Sequence, residues 1–338
     1  MPASISTTAP LKNSSPSADI AILYEHPTWF KPLFAELDRR GLAYDAIRAD
    51  TLVADPSAPW PGDHRVVLNR MSPSAWSRGG AGAVFFTRRV LEHLEAAGTE
   101  VWNGTAAWDL DLSKSSQQRL VEGLGLRMPR TRVVLAADQL PGASEDLVFP
   151  LLVKPNIGGN GLGVTRVDTL EELEAKVADG SLETGPDGVY LLQEYHAPKG
   201  GFVTRVETLG GRILYAIRVH LGETKTFNLC PADMGCRIDG PARQAAAGAE
   251  HHANDARVEA ITLPPEVAAE VESIARAGQM DVGGVEFLVS ERDGQRYYYD
   301  VNAMSNFVGD PVETLGFDPT AELVDALEGR FWVDQKAA

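Results

Sequence analysis

The sequence predicts a small parallel α/β domain followed by a longer region organised around hairpins, and three observations predict it. Short apolar strands alternate with helices up to residue 104. A glycine-rich turn, NIGGNGLGV at 156–164, then separates two strands. Two hairpin turns, one at Gly210 and Gly211 and one containing Asp293 and Gly294, join alternating strands nearer the C-terminus.

Residues 1–17 are rich in Ser, Ala, Thr and Pro and lack the basic start and apolar stretch of a secretory signal, so they read as a disordered tail. Strand 19–24 follows, then helix 29–40 stopped by Gly41, strands 43–47 and 65–69, helix 85–97 closed by Gly98, and strand 100–104. No GxGxxG occurs here, so a dinucleotide is not indicated. The string from Asn69 to Gly82 reads first as a polar surface loop. The alternative makes Arg70, Ser72, Ser74 and Arg78 anion-binding groups on a mobile loop. Helix 113–124 carries an apolar stripe of Leu120, Val121 and Leu124 before Gly125. Lys114 in its first turn opposes the helix dipole at a cost of about 0.3 to 1 kcal/mol. Either a nearby anion explains it, or the lysine is solvated and tolerates the cost.

A chain of 338 residues has room for two domains and a large core. Its net charge of -16 repels nucleic acid and anionic membrane, so neither is expected as a partner, and anionic substrates need local basic residues. No run reaches membrane-spanning length, and two cysteines, Cys230 and Cys236, cannot form a disulfide framework. They are expected to be small buried side chains, and the default location is cytoplasmic. His251 and His252, with Asn254 and Asp255, lack a third spaced ligand and are expected to face solvent.

Strand 148–155 puts Lys154 at its end, ahead of Gly158, Gly159, Asn160, Gly161 and Gly163. The glycines leave backbone N–H groups free to wrap phosphate oxygens. This is not a Walker loop, because the lysine precedes the glycines and a strand follows them. A flexible turn is the plainer reading of the glycines alone; the lysine at the base favours phosphate. The string LLQEYH at 191–196, with Gln193, Glu194 and Tyr195, reads as a strand leading into a link. In the next hairpin, 202–209 with 212–219, the turn places Arg205, Glu207 and Arg218 on one face and Thr204, Val206, Ile213, Tyr215, Ile217 and Val219 on the other. Arg205 and Arg218 then form an anion site, or else an exposed face on which Glu207 neutralises one arginine.

The last hairpin is the most informative. A two-residue Asp-Gly turn would send Glu286 and Asp300 to opposite faces. A three-residue loop of Arg292, Asp293 and left-handed Gly294 sets Glu286 directly across from Asp300, roughly 5 Å apart at Cβ, with Asn302 on the same face. Two carboxylates that close call for a cation or a shared proton. Oxygen-only donors, two carboxylates and an amide, suit Mg²⁺. A solvated hairpin with the acids on opposite faces is the alternative.

Taken in order, Lys114, VKPNIGGNGLGV, LLQEYH, the Arg205 and Arg218 hairpin, and Glu286 with DVN resemble the ATP-grasp superfamily, nearest the branch of glutathione synthetase and the ribosomal-protein glutamate ligases. The resemblance covers about residues 104 to 330. It implies a Rossmann-like α/β pre-ATP-grasp domain (18–104) followed by an α+β ATP-grasp fold of two subdomains (105–192 and 193–332). It further implies ATP between those subdomains with Lys114 and Lys154 on its phosphates, the glycine loop as a lid, and Gln193, Glu194 and Tyr195 at the adenine. Glu286, Asp300 and Asn302 match the Mg²⁺ ligands, Arg218 matches the arginine on the transferred phosphate, and Arg205 matches one near the substrate. The implied activity joins a small-molecule carboxylate to an amine, such as an amino acid or peptide, through an acyl phosphate. Phosphotransfer without ligation is the runner-up, and a non-catalytic nucleotide sensor the third option. A homo-oligomer fits the habits of such enzymes. Two departures stand out: the family's usual order is Asp then Glu, against Glu286 then Asp300 here, and the stretch after Asn228, NLCPADMGC, has no arginine.

Overall fold

The computed structural model describes residues 18–26, 28–53, 55, 64–159, 161–221 and 257–335; Asn160, Asn228, Cys230, Cys236, His251, His252, Asn254, Asp255 and the tail 1–17 lie outside them. The first sheet is parallel, ordered β2-β1-β3-β4, from β1 (Ile20–Tyr24), β2 (Tyr44–Arg48), β3 (Val66–Arg70) and β4 (Glu100–Trp102). Period-2 alternation sends Ile20 and Ile22 to one face, against Leu33 and Leu37 of α1 (Lys31–Arg40). It sends Ala21 and Leu23 to the other, where they share a core with Val84, Val90, Leu91 and Leu94 of α2 (Ala81–Ala96). Gly41, at φ 68°, ends α1 in a left-handed cap.

The surface loop read at 69–82 is not one. Asn69 and Arg70 close β3, residues Pro73–Arg78 form a 3-10 helix capped by the Ser72 hydroxyl, and Arg70, Ser72 and Ser74 are buried.

Helices α3 (Thr105–Asp111) and α4 (Lys114–Gly123) lead to the second sheet, antiparallel and ordered β5-β8-β6-β7. Its strands are β5 (Thr131–Val134), β6 (Leu151–Pro155), β7 (Thr165–Val167) and β8 (Tyr190–Glu194). It packs on Leu140 of α5 (Leu140–Ala143) and Leu173 of α6 (Leu170–Asp179) as a core of its own.

The third sheet is antiparallel, ordered β11-β10-β9-β12-β13: β9 (Phe202–Leu209), β10 (Arg212–His220), β11 (Val258–Ile261), β12 (Val282–Val289) and β13 (Arg296–Asn302). One face, with Val206, Val285, Phe287 and Val301, rests on Val271 and Ile274 of α7 (Pro265–Ala277) and on Trp108 and Val121 of α3 and α4. The expected stripe of α4 is only partly used: Val121 is fully buried, while Leu124 is exposed. After α8 (Pro311–Leu315), the C-terminal α9 (Pro319–Gln335) returns to the first sheet, adding Leu323, Val324 and Leu327 to the α1 core.

One side chain clasps the first and third sheets. Asn103, fully buried at φ 53°, donates from Nδ2 to Val282 O (2.7 Å) and Ala303 O (2.6 Å), and its Oδ1 accepts from Asp281 N (2.8 Å) and Val282 N (3.1 Å). The loop after β4 is thereby pinned to the start of β12 and the end of β13. Among the described residues no helix is long and apolar enough to cross a membrane.

Candidate nucleotide and metal site

Glu286 stands across from Asp300, as the three-residue loop predicted, but the chain reaches that register differently. The turn is one residue longer: Ser290 N donates to Gln295 O (2.8 Å) and Gly294 N to Ser290 O (2.9 Å), so Val289 pairs with Arg296. A bulge at Tyr299 then absorbs one residue and restores Glu286 to Asp300 and Gly284 to Asn302. Gly294 is left-handed, at φ 70°. Asp300 and Asn302 share a face, and the Asn302 Nδ2 is buried without a hydrogen-bond partner.

Cationic side chains hold the acidic pair together. Lys114 Nζ donates to Asp300 Oδ1, and Arg205 Nη1 to Glu286 Oε1 at 2.9 Å. Burial pushes the Asp300 carboxyl up, but the Lys114 ammonium outweighs it and leaves Asp300 below the ordinary range. Glu286 is pushed up by burial, with Arg205 opposing. Lys114 also loses charge stability on burial, yet Asp300 carries it above the ordinary lysine value. Its place in the first turn of α4 is thus explained by an anion, the first of the two alternatives.

Lys154, next to last in β6 and paired with Leu191 of β8, donates to Gln193 Oε1 at 2.8 Å. Burial, then the charge of Lys114, lowers it to about 7. The glycine loop reaches both neighbours: a Cβ on Gly158 would lie 3.9 Å from Lys114 Cε, and one on Gly159 only 2.8 Å from Ser74 Cβ in the 3-10 helix that follows β3. Gly161 and Gly163 are left-handed, at φ 69° and 71°. In the link, Glu194 is committed to scaffolding: it accepts from Val148 N and from Arg292 Nη1, both at 3.0 Å. Tyr195 donates its N–H to Pro150 O (2.9 Å), gives its carbonyl to Arg292 Nη2 (3.1 Å), and has the Arg166 guanidinium 4.6 Å above its ring.

The expected Arg205 and Arg218 site does not form. The Gly210–Gly211 turn pairs Leu209 with Arg212 and Thr208 with Ile213 as predicted, but a bulge at Leu214 then pairs Tyr215 with Glu207 and Arg218 with Thr204. Arg218 therefore lies on the face opposite to Arg205, across from Glu259 and with its guanidinium 4.7 Å from the Phe202 ring. Arg205 sits opposite Glu286 in the β9–β12 pair, on the acidic face.

Three further groups meet there. Glu207, fully buried, accepts from Arg205 Nε (2.7 Å) and from the Ser305 hydroxyl (2.6 Å). Arg70 of β3 donates to Ser305 O, and burial lowers its guanidinium to about 10, so it remains charged at neutral pH. Asp111, at the end of α3, is raised to about 7 by burial and by the charge of Asp300, and accepts from Met304 N at 3.2 Å. Arg70 was visible only as a member of a polar string, and Asp111 carried no local signal.

The donor set is two carboxylates and an amide on one sheet face; among the described residues no group of three Asp, Glu, His or Cys could hold a metal ion alone. Hard oxygen donors, the Glu286 and Asp300 carboxylates and the Asn302 side-chain carbonyl, fit Mg²⁺, which keeps waters and takes the rest of its shell from phosphate oxygens.

No family model matches the chain. It is 28% identical over 229 residues to the carbamoyl phosphate synthase large chain of Brucella suis biovar 1, which spans 63% of this chain but 19% of that protein, so this chain spans about a fifth of that relative. It is 26% identical over 259 residues to a probable alpha-L-glutamate ligase of Aeromonas salmonicida, spanning 74% of this chain and 75% of that protein. Among solved structures it resembles the ATP-grasp ligase PsnB, complexed with a phosphomimetic variant of minimal precursor, Mg and ADP, at a TM-score of 0.65 and 20% identity over 93% of this chain and 99% of that one. With the lysine-based glycine loop, the acidic hairpin and the two antiparallel sheets that carry them, these likenesses show that the chain has the ATP-grasp fold and is similar in sequence to ligases of that fold.

Proposed function

We propose that this chain is an ATP-dependent carboxylate–amine ligase. The observation that carries the reading is the convergence of Glu286, Asp300 and Asn302 on one face with Lys114 and Lys154, under a glycine loop. An acid of the amino-acid or peptide class attacks the γ-phosphorus of ATP through a carboxylate oxygen; the bond to the β-phosphate oxygen breaks and ADP leaves. An amine then attacks the acyl carbon, phosphate departs with the carbonyl–oxygen bond pair, and the amine loses a proton to give the amide. Such a transfer needs positioning and charge neutralisation rather than a protein nucleophile.

Lys114 and Lys154 would meet the phosphates, and backbone N–H groups of Gly158, Gly159 and Gly161 would cover them. Glu286, Asp300 and Asn302 would hold Mg²⁺, whose chemistry is to neutralise the phosphate charge. Arg205, on the acidic face, is the arginine suited to the transferred group; Arg218 is left out because it faces the other way. The Gln193–Tyr195 link would shape the base pocket, with Glu194 holding the link in place. The relative PsnB is described with Mg and ADP, and the glutamate ligase by its own activity, which supports the same reading. We further propose that residues 18–104 act as a pre-ATP-grasp domain and that 105–192 and 193–332 are the two subdomains, in a cytoplasmic enzyme supplied with ATP.

The test is ADP release with a panel of amino acids and dipeptides, with and without added amines. Ligation predicts amide product and ADP in equal amounts once amine is present. A stable phosphorylated product accumulating in full without amine would replace ligation by phosphotransfer.

A further inference from the structure

Resting on the metal-binding reading above, we infer that Glu207 is a positioning residue that neutralises Arg205, so that a dication and Arg205 can share Glu286. Arg205 Nη1 lies 2.9 Å from Glu286 Oε1. A guanidinium on a metal ligand repels an incoming dication and competes for its oxygen, in a buried site where charges are poorly screened. A counter-charge on the far side of the guanidinium offsets both effects. Glu207 is in that place, with Oε1 2.7 Å from Arg205 Nε.

The local architecture is built around this contact. The Ser305 hydroxyl bridges Arg205 Nη2 and Glu207 Oε1, so the arginine fork is held by Glu286, Glu207 and Ser305 together. Opposite Glu207 in the β9–β12 pair stands Gly284. A Cβ there would come within 2.9 Å of Glu207 Oε1 and 2.8 Å of Ser305 Oγ, so the glycine is what leaves room for the clamp. Behind Glu207 lies Arg70, whose Nη1 is buried without a partner, as is Glu207 Oε2. The charges alternate from the first domain inward: Arg70, Glu207, Arg205, Glu286.

The experiment uses the full chain with ADP and Mn²⁺, free Mn²⁺ being read by electron paramagnetic resonance. Glu207→Gln keeps the size and an oxygen for Arg205 Nε but removes the charge. It is expected to weaken Mn²⁺ binding by about tenfold, the scale for losing a partner behind a metal ligand. Metal-free ADP binding by calorimetry should stay at the wild-type level. Wild-type Mn²⁺ affinity in Glu207→Gln, whatever its melting temperature, would overturn the inference and leave the metal reading standing. A wild-type chain that binds no Mn²⁺ with ADP would overturn both. Arg205→Gln compared with Arg205→Gln/Glu207→Gln covers the case in which the single Glu207 variant does not fold. With the cation gone, Glu207 has nothing to offset, so equal Mn²⁺ affinity in the two supports the inference and a further loss in the double variant overturns it.

Discussion

Lys114, in the first turn of α4, donates its ammonium to the Asp300 carboxylate, 186 residues away in the chain. This one contact ties the helix before the second sheet to the last strand of the third. It also accounts for a cation at the positive end of a helix. An acidic pair that would otherwise repel is held by Lys114 on one side and Arg205 on the other.

Asn302 has no ionic partner to lose, so it gives the cleanest test of the metal face. Asn302→Ala should cut ATP-dependent turnover by roughly 10- to 100-fold and raise the Mg²⁺ needed for half-maximal rate, with circular dichroism unchanged. Asp300→Asn, which also strips Lys114 of its counter-ion, should lose about 100-fold or more. Full turnover in either variant would remove these residues from the site.

Lys154 has a pH signature. Its amine is held at about 7, against 10.5 for an ordinary lysine, because burial disfavours the ammonium and Lys114 adds repulsion. Between those values the unfolded chain holds the proton that the folded chain has shed, so this group's contribution to stability rises with pH across that window. Bound phosphate favours the ammonium. Nucleotide binding at pH 8 should therefore take up a proton, seen as different calorimetric heats in HEPES and Tris. Equal heats, or the same uptake in Lys154→Gln, would exclude a phosphate contact for this residue.

Gly159 packs where a side chain does not fit, its missing Cβ 2.8 Å from Ser74 Cβ. Gly159→Ala should push the loop off the 3-10 helix that follows β3 and weaken ATP binding severalfold. Ser74→Gly in the same chain should restore it. A double variant as weak as the single one would show that the two do not meet in the nucleotide-bound state.

Asn103→Ala removes four side-chain hydrogen bonds that clasp the first and third sheets, at a φ of 53° that alanine tolerates poorly. Buried groups left without partners cost about 1 to 3 kcal/mol each, partly relieved by water entry. A loss of about 3 kcal/mol in urea unfolding is expected. A loss under about 0.5 kcal/mol would mean that the clasp contributes little.

How legible the site was differs between the two hairpins. Alternation and turn residues located β9, β10, β12 and β13, and Gly210, Gly211 and Gly294 all adopt positive φ as such turns require. What they could not show was the single extra residue absorbed within each ladder. In the acidic hairpin the turn is one residue longer than expected and the bulge at Tyr299 compensates, so Glu286 and Asp300 still meet. In the arginine hairpin the bulge at Leu214 has no such compensation, and Arg218 is carried to the opposite face. Glu207 as a neutralising partner of Arg205 was readable as an alternative; its contact with Ser305 was not, because Ser305 lies 98 residues further along.

The sequence by itself determined the elements that follow from near neighbours: the parallel α/β start, the glycine loop after Lys154, the glycine turns, and two acids and an amide at strand spacing. Period, helix capping and the φ range of glycine are local properties, and a single chain states them openly. Tertiary structure alone decided which charges became partners. It buried Arg70, Ser72 and Ser74 instead of exposing them, put Asp300 on Lys114, and separated Arg205 from Arg218. Those outcomes depend on ladder register and on packing between segments far apart in the chain, where one inserted residue reverses the direction of every side chain beyond it.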